Sequence, residues 1–208
     1  MIVRELWKAV HVPALTFANA VVCISASTRA WLERGQHEVG RVALGCHGRV
    51  AIEAIQGDLG WSSFEAREAS SKIAFEERLR ILPDSRWARQ VFWYFHFKGT
   101  RTRRCSRVQR LRCKYSLFEN STQENELTER KSGRAVRTRV QAAETGRWQS
   151  AMETKSTLQM YRTHKQAIAP ELLYDNSGGS ALLFEARAGA LRTLVYRRRF
   201  DDSAEAQP

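Results

Sequence analysis

Apolar positions in this chain recur at spacings of three and four and nowhere alternate for long, so the pattern predicts helices separated by glycine and polar turns. Leu32, Val39 and Val42 place one helix between a cap at Ser27 or Thr28 and a stop at Gly45, where the left-handed conformation costs a glycine little. Gly57 and Gly60 read as a turn. Ser62 with Glu65 three residues on makes a capping box, and Ala66, Ala69 and Ile73 continue one face of the helix it opens.

Pro83 and Asp84 start a helix from Ser85 to Lys98, whose aromatics Trp87, Phe92, Trp93, Phe95 and Phe97 are expected in the core rather than as a platform for nucleic-acid bases. The stretch from Arg134 to Ala169 reads as one long helix with Gly146 as its point of interruption, and with Trp148, Met152, Leu158 and Tyr161 available for packing. Residues 175–179 form a turn, after which Ser180 caps a last helix carrying Phe184, Ala188, Leu191 and Val195 and closing on Arg197, Arg198 and Arg199, cations suited to a helix C-terminus. With no strand series, internal repeat or glycine-rich nucleotide fold, the expected class is all-α. The helices form an irregular array or extended rods, with a basic linker and a disordered tail. The boundaries follow composition: a helical region over 1–97, a basic then polar linker over 98–133, a second helical region over 134–200 and a tail over 201–208.

Charge changes this picture. The net charge is +12, and it is unevenly placed. Residues 1–97 carry 12 basic and 10 acidic groups and residues 119–208 carry 14 and 12, whereas residues 98–118 carry 8 basic groups and no acidic one. Those eight are Lys98, Arg101, Arg103, Arg104, Arg107, Arg110, Arg112 and Lys114. On a helix Arg103, Arg107, Arg110 and Lys114 share one face while Val108, Leu111 and Tyr115 share another, a basic amphipathic pattern. Guanidinium forks along such a face match phosphate oxygens and gain affinity from counterion release, so these eight residues are the candidate nucleic-acid contacts. The same run also suits a solvated linker or an anionic membrane surface.

Candidate catalytic and metal chemistry is sparse. Cys23, Cys46, Cys105 and Cys113 show no C-x-x-C spacing, and His96 with Cys105 and Cys113 gives only three loosely spaced ligands. Cys46-His47 lacks an orienting third residue, and Gly178-Gly179-Ser180 lacks the lysine of a phosphate loop. The apolar run from Val10 to Ala26 superficially suits a signal peptide, but Pro13 and Asn19 interrupt it and it is short for a membrane span, so an intracellular protein with no membrane partner is expected.

Three strings carry a family resemblance: LWKAVHVPALTFANAV at Leu6 to Val21, the Arg-x-Ala-Leu-Gly of Arg41 to Gly45, and the Gly-acid-Leu-Gly of Gly57 to Gly60. Together with RWARQVFWYFHF at Arg86 to Phe97 and the segment from Leu172 to Phe200, they resemble the region just downstream of the polymerase core in reverse transcriptases of non-LTR retroelements of the tick transposon type. The resemblance spans residues 1–97 and 146–200 and is looser between. It implies an internal helix at Leu6 to Val21, with Pro13 tolerated in a first turn, and a thumb-side region that contacts RNA or DNA through the phosphate backbone with low sequence specificity, with an upstream polymerase core as its partner in the parent protein. Polymerase chemistry itself requires paired carboxylates that hold two metal ions, which this family presents in a Tyr/Phe-x-Asp-Asp turn. The adjacent pair here, Asp201-Asp202, has Phe200 out of register and sits in a polar tail. The expectation is therefore a non-catalytic fragment with no cofactor and no metal of its own. A degenerate transposon-derived relic and a helical protein-protein interaction module are the alternatives.

Overall fold

The structure is a computed structural model that describes residues 2–99, 102–117, 129–175 and 177–191, with side chains from 133 onward in the third stretch. Every regular element among the described residues is helical. In chain order these are α1 (Ile2–Leu6), α2 (Val12–Thr16), α3 (Ala26–Leu44), α4 (Ile52–Leu59), α5 (Phe64–Ile81), α6 (Trp87–Phe97), α7 (Arg103–Lys114), α8 (Glu129–Glu153), α9 (Gln159–His164) and α10 (Gly178–Arg187). The chain divides into two compact units: residues 11–33 with 62–146, and residues 1–10 with 34–61 and 147–208. Helices α3 and α8 each contribute to both, so the units cut across the boundaries drawn from composition. Asp201-Asp202 and Arg197 to Arg199 lie outside the described residues.

In the unit built from 11–33 and 62–146, α5 packs against α2, α6 and α7. Its core joins Ala66, Ala69 and Ile73 of α5 to Val108, Leu111, Tyr115 and Leu117 of α7 and its exit, and to Val136 and Val140 of α8. The α5 face read from sequence is thus the buried one. Its cap differs by one residue: Ser63, not Ser62, accepts from the Ala66 amide at 3.1 Å. Glu65 is not the reciprocal partner. The amides of Phe64 and Glu65 donate instead to Glu33 on α3, at 2.5 and 3.3 Å, a tertiary contact that frees Glu65 for other work. Burial raises the Glu33 carboxyl above its ordinary range, against the pull of those two amides.

Helix α3 starts one or more residues earlier than expected because Ser25, rather than Ser27 or Thr28, accepts from the Thr28 amide at 3.0 Å. Gly45 ends it at φ +65°, as its sequence position suggested. Leu32 is buried while Val42 is exposed, so the inward face runs through Gln36, Ala43 and Leu44. Pro13 does more than sit in a first turn. Having no N–H, it follows a π-helical turn at Trp7–His11 that separates α1 from α2.

The aromatics of α6 are not core. No residue of that helix is buried, Phe92 and Trp93 are half-buried, and Trp87, Tyr94 and Phe97 are exposed. The rings pack along the helix on one another, Trp93 on Phe97 at 5.5 Å and Phe92 on Trp93 at 5.3 Å.

The other unit is organised by α4, which the reading of Gly57 and Gly60 as a turn missed. Gly60 is its left-handed C-cap at φ +67°, but Gly57 lies inside the helix, where Trp148 and Tyr161 close over it. Both rings are held, Trp148 Nε1 donating to the Glu53 carbonyl at 2.8 Å and the Tyr161 hydroxyl to the Ala54 carbonyl at 3.2 Å. A Cβ at Gly57 would meet the Tyr161 hydroxyl and come within 2.7 Å of the Trp148 ring. Gly57→Ala is therefore expected to destabilise this unit by about 1–3 kcal/mol, overpacking outweighing the better helix propensity of alanine. Urea denaturation followed by tryptophan fluorescence measures it, and a variant as stable as the parent would contradict the close packing.

Trp148, Met152, Leu158 and Tyr161 are buried as read, yet the long helix is interrupted elsewhere. α8 passes unbroken through Gly146 and stops at Glu153, followed by a short 3₁₀ turn at Ser156–Leu158 and by α9. Ser177 rather than Ser180 caps α10, accepting from the Ser180 amide at 3.2 Å, and Gly189 at φ +63° follows its end.

Candidate nucleic-acid interface

Helix α7 carries most of the basic run, and its apolar face explains where the run goes. Thr102 caps it by accepting from the Cys105 amide at 3.1 Å, and Val108 and Leu111 bury themselves against α5. Burying that stripe brings the flanking cations over the acidic residues of α5. The Arg107 guanidinium donates to Glu68 at 2.7 Å and to Glu65 at 3.1 Å, Arg112 donates to Glu76 at 3.4 Å, and Lys114 pairs with Glu65. Segment 103–117 is thus a core element, where a linker had been expected.

The eight candidate residues separate accordingly. Arg107, Arg112 and Lys114 are matched to carboxylates. Arg104 is half-buried, its Nε donating to the Ala20 carbonyl at 3.3 Å and its guanidinium 5.2 Å above the Phe75 ring. Lys98 stands exposed at the end of α6, 5.5 Å from the Tyr94 ring, and Arg101 lies outside the described residues. Arg103 and Arg110 are exposed, with Arg110 Nε donating to the Ser106 carbonyl of its own helix at 3.3 Å.

Arg103 and Arg110 share a cleft of about 510 Å³ with Ser25, Arg29, Ser106 and Arg107. Arg29 was not a candidate in the sequence because it sits alone, far from the basic run. It joins the cleft because its Nε donates at 3.1 Å to Glu68, the carboxylate that also holds Arg107. Glu68 is 1% exposed, and Lys72 Nζ lies 3.8 Å away on the same helix. Lys72 is itself fully buried and donates to the Asn19 and Val22 carbonyls at 2.6 Å each. Burial pulls its amine below the ordinary lysine range, while Cys23 and Glu68 pull the other way. Burial works against the charged form of Arg107 too, but Glu68 and Glu65 overcome it and hold the guanidinium above its ordinary range. For Glu65, burial is outweighed by Lys114 and then Arg107, which bring its carboxyl below the ordinary range. One buried carboxylate thereby fixes two arginines at the cleft wall, beside two more that remain open to solvent. The start of α3, the positive end of its helix dipole, completes the lining.

Other candidate chemistry resolves differently. His96, Cys105 and Cys113 border a common groove, but no group of three or more His, Cys, Asp or Glu among the described residues is placed to hold a metal ion. Cys46 is half-buried and its thiol is pushed up to about 11, burial being the main cause and Glu185 the second. His47 is engaged elsewhere: its Nε2 donates to the Ala190 carbonyl at 2.8 Å and its Nδ1 accepts from the Arg49 amide at 3.1 Å. The pair is not arranged as nucleophile and base. No helix among the described residues is long and apolar enough to cross a membrane.

The acidic residue of the Gly57–Gly60 string is Asp58, which is fully buried in α4. It accepts from the hydroxyls of Tyr161 and Tyr174 at 2.6 Å each and from Arg187 at 3.4 Å, with Lys165 Nζ 3.6 Å away. Burial first, then Asp58 through its charge and its hydrogen bonds, raises both tyrosine hydroxyls well above their ordinary range. This network joins α4 to α9 and α10.

No protein-family model, curated protein or solved structure matches the chain.

Proposed function

We propose that this chain is a non-catalytic helical segment that holds RNA or DNA by its phosphate backbone, as the resemblance to the region downstream of a retroelement polymerase core implies. The observation that carries the reading is the cleft between α3 and α7, where Arg103 and Arg110 are exposed beside Arg29 and Arg107. Rigid, pre-placed guanidinium groups lose little entropy on meeting a phosphate, and two exposed forks supply bidentate contacts that are indifferent to base identity. Ser25 and Ser106 add neutral polar groups of the kind that position a backbone.

Fluorescence anisotropy with a labelled 20-nucleotide single-stranded RNA tests this on the full chain. The double variant Arg103→Gln/Arg110→Gln is expected to lose affinity on the order of tenfold, with an unchanged helical circular-dichroism spectrum. A primer-extension assay with magnesium completes the test, and no nucleotide incorporation is expected. Unchanged RNA affinity in the double variant would refute the cleft. Template-dependent extension that disappears on substituting Asp201 or Asp202 would refute the non-catalytic reading.

A further inference from the structure

On another face of the same unit, α5, α6 and α7 enclose an open groove of about 890 Å³ that the phosphate cleft does not use. Its floor is apolar, formed by Phe75 and Leu79 of α5, Val91, Phe92 and Phe95 of α6, and Val108 of α7. Val91 is 45% exposed and Phe95 41%, on a helix that buries none of its residues, so this is apolar surface left open along a helical wall. Surfaces of that kind on small proteins mark binding sites, and a groove between helices of this volume suits an apolar ligand face.

The rim decides the occupant. Of the three arginines that border the groove, Arg80 lies 3.9 Å from Glu76, and Arg112 lies 3.4 Å from Glu76 and 3.9 Å from Glu77. Those pairs leave Arg104, half-buried on the groove wall, which donates to the Ala20 carbonyl and forms no ion pair among the described residues. A guanidinium on the wall of an open groove, with no carboxylate of its own, favours a ligand that brings one. A second copy of this chain fits poorly, because each copy carries a net charge of +12. Nucleic-acid bases fit less well than side chains, because half of the floor is aliphatic and, of the α6 rings, Trp93 already stacks on Phe97 and meets Phe92 edge to face.

We propose that the α5–α6–α7 groove docks an acidic amphipathic helix of a partner protein, its apolar stripe at i, i+4 and i+7 lying on Val91, Phe92 and Phe95 and a flanking carboxylate reaching Arg104. This site is separate from the phosphate cleft and does not depend on nucleic-acid binding. The mode is helix in groove, with apolar anchors for affinity and rim charge for partner choice.

The test uses the full chain and a designed, fluorescein-labelled 18-residue peptide with leucine and phenylalanine at helical spacing and glutamate elsewhere, alongside the same peptide with lysine for glutamate. The acidic peptide is expected to bind at micromolar concentration and the lysine peptide at least about tenfold more weakly. Phe95→Asp and, separately, Arg104→Gln are each expected to weaken the acidic peptide about tenfold, while Leu172→Asp, an exposed position in the other unit, leaves it unchanged. Helical content read by circular dichroism shows that the variants remain folded, and Arg104→Gln keeps the test valid if Phe95→Asp does not fold. Equal binding of both peptides, no binding of either, or indifference to both groove variants overturns the proposal. So does self-association abolished by Phe95→Asp, which assigns the groove to a second copy, or single-stranded RNA binding lost with the same variant, which assigns it to nucleic acid.

Discussion

Glu68→Gln is expected to destabilise the unit formed by residues 11–33 and 62–146 by about 3–5 kcal/mol, the range for removing one partner from a buried ionic cluster. The substitution keeps the shape of the side chain and removes its charge. Arg29, Arg107 and Lys72 then lie close together without the carboxylate between them, and Lys72 is fully buried. Arg107→Gln is the milder change, since Glu68 keeps Arg29 at 3.1 Å and Lys72 at 3.8 Å. Chemical denaturation followed by circular dichroism measures both. A Glu68→Gln variant within about 1 kcal/mol of the parent would mean that the cluster is solvated, and that Arg29 and Arg107 are not held at the cleft wall.

The second large effect belongs to the other unit. Asp58→Asn is expected to cost about 3 kcal/mol there, because one carboxylate that accepts from two tyrosine hydroxyls and faces two cations becomes an amide with a single acceptor oxygen. Glu171, which accepts from Lys165 at 2.5 Å, softens the loss for the cations but not for the tyrosines. The same change has a spectroscopic signature. Tyr161 and Tyr174 are raised in the folded chain, so their contribution to stability is complete below the ordinary tyrosine range, near pH 10, and is lost as pH rises through their folded values. Removing the Asp58 charge removes one cause of that rise. Phenolate absorbance is expected to show two late-titrating tyrosines in the parent chain and earlier titration in Asp58→Asn. Two tyrosines that titrate near pH 10 in the parent would contradict the buried network.

Local signals in the sequence were legible where the cause was local. Gly45 ends α3 because a left-handed residue was needed there, and the Val108, Leu111 and Tyr115 stripe is buried because spacing alone sets which residues share a helical face. Signals failed where a distant residue supplied the partner. Ser62 and Glu65 spell a capping box, but Glu33 of α3 satisfies the first amides of α5, which releases Glu65 to Arg107 and Lys114. Gly57 resembles half of a turn, yet it is the close-approach point under Trp148 and Tyr161. The aromatics of α6 suggest a core by composition, although that helix, packed on α5, buries none of its residues.

The candidate site was legible in part for the same reason. A run of eight cations without an acid gives no sign that Glu65, Glu68 and Glu76, more than 20 residues upstream, will pair with Arg107, Arg112 and Lys114. A signal was nevertheless available. These acids recur at helical spacing on α5, on the side that also carries Ala69 and Ile73, so packing one apolar stripe on the other brings the charges together. Arg29 carried no such signal, and only the fold places it.

Salt dependence of RNA binding is the most direct measure of the central claim, that the α3–α7 cleft contacts phosphates. Arg103, Arg110 and the net cation left by Arg29 and Arg107 around Glu68 neutralise about three phosphates of a single strand, which predicts a log-log slope of affinity against salt of roughly −2. The Arg103→Gln/Arg110→Gln variant removes two of these, so its slope is expected to be shallower by about 1.4, with no change in sequence preference. An unchanged slope in that variant, or an equal loss on replacing Arg197, Arg198 and Arg199 instead, would contradict the claim and assign the attraction to the charge of the whole +12 chain.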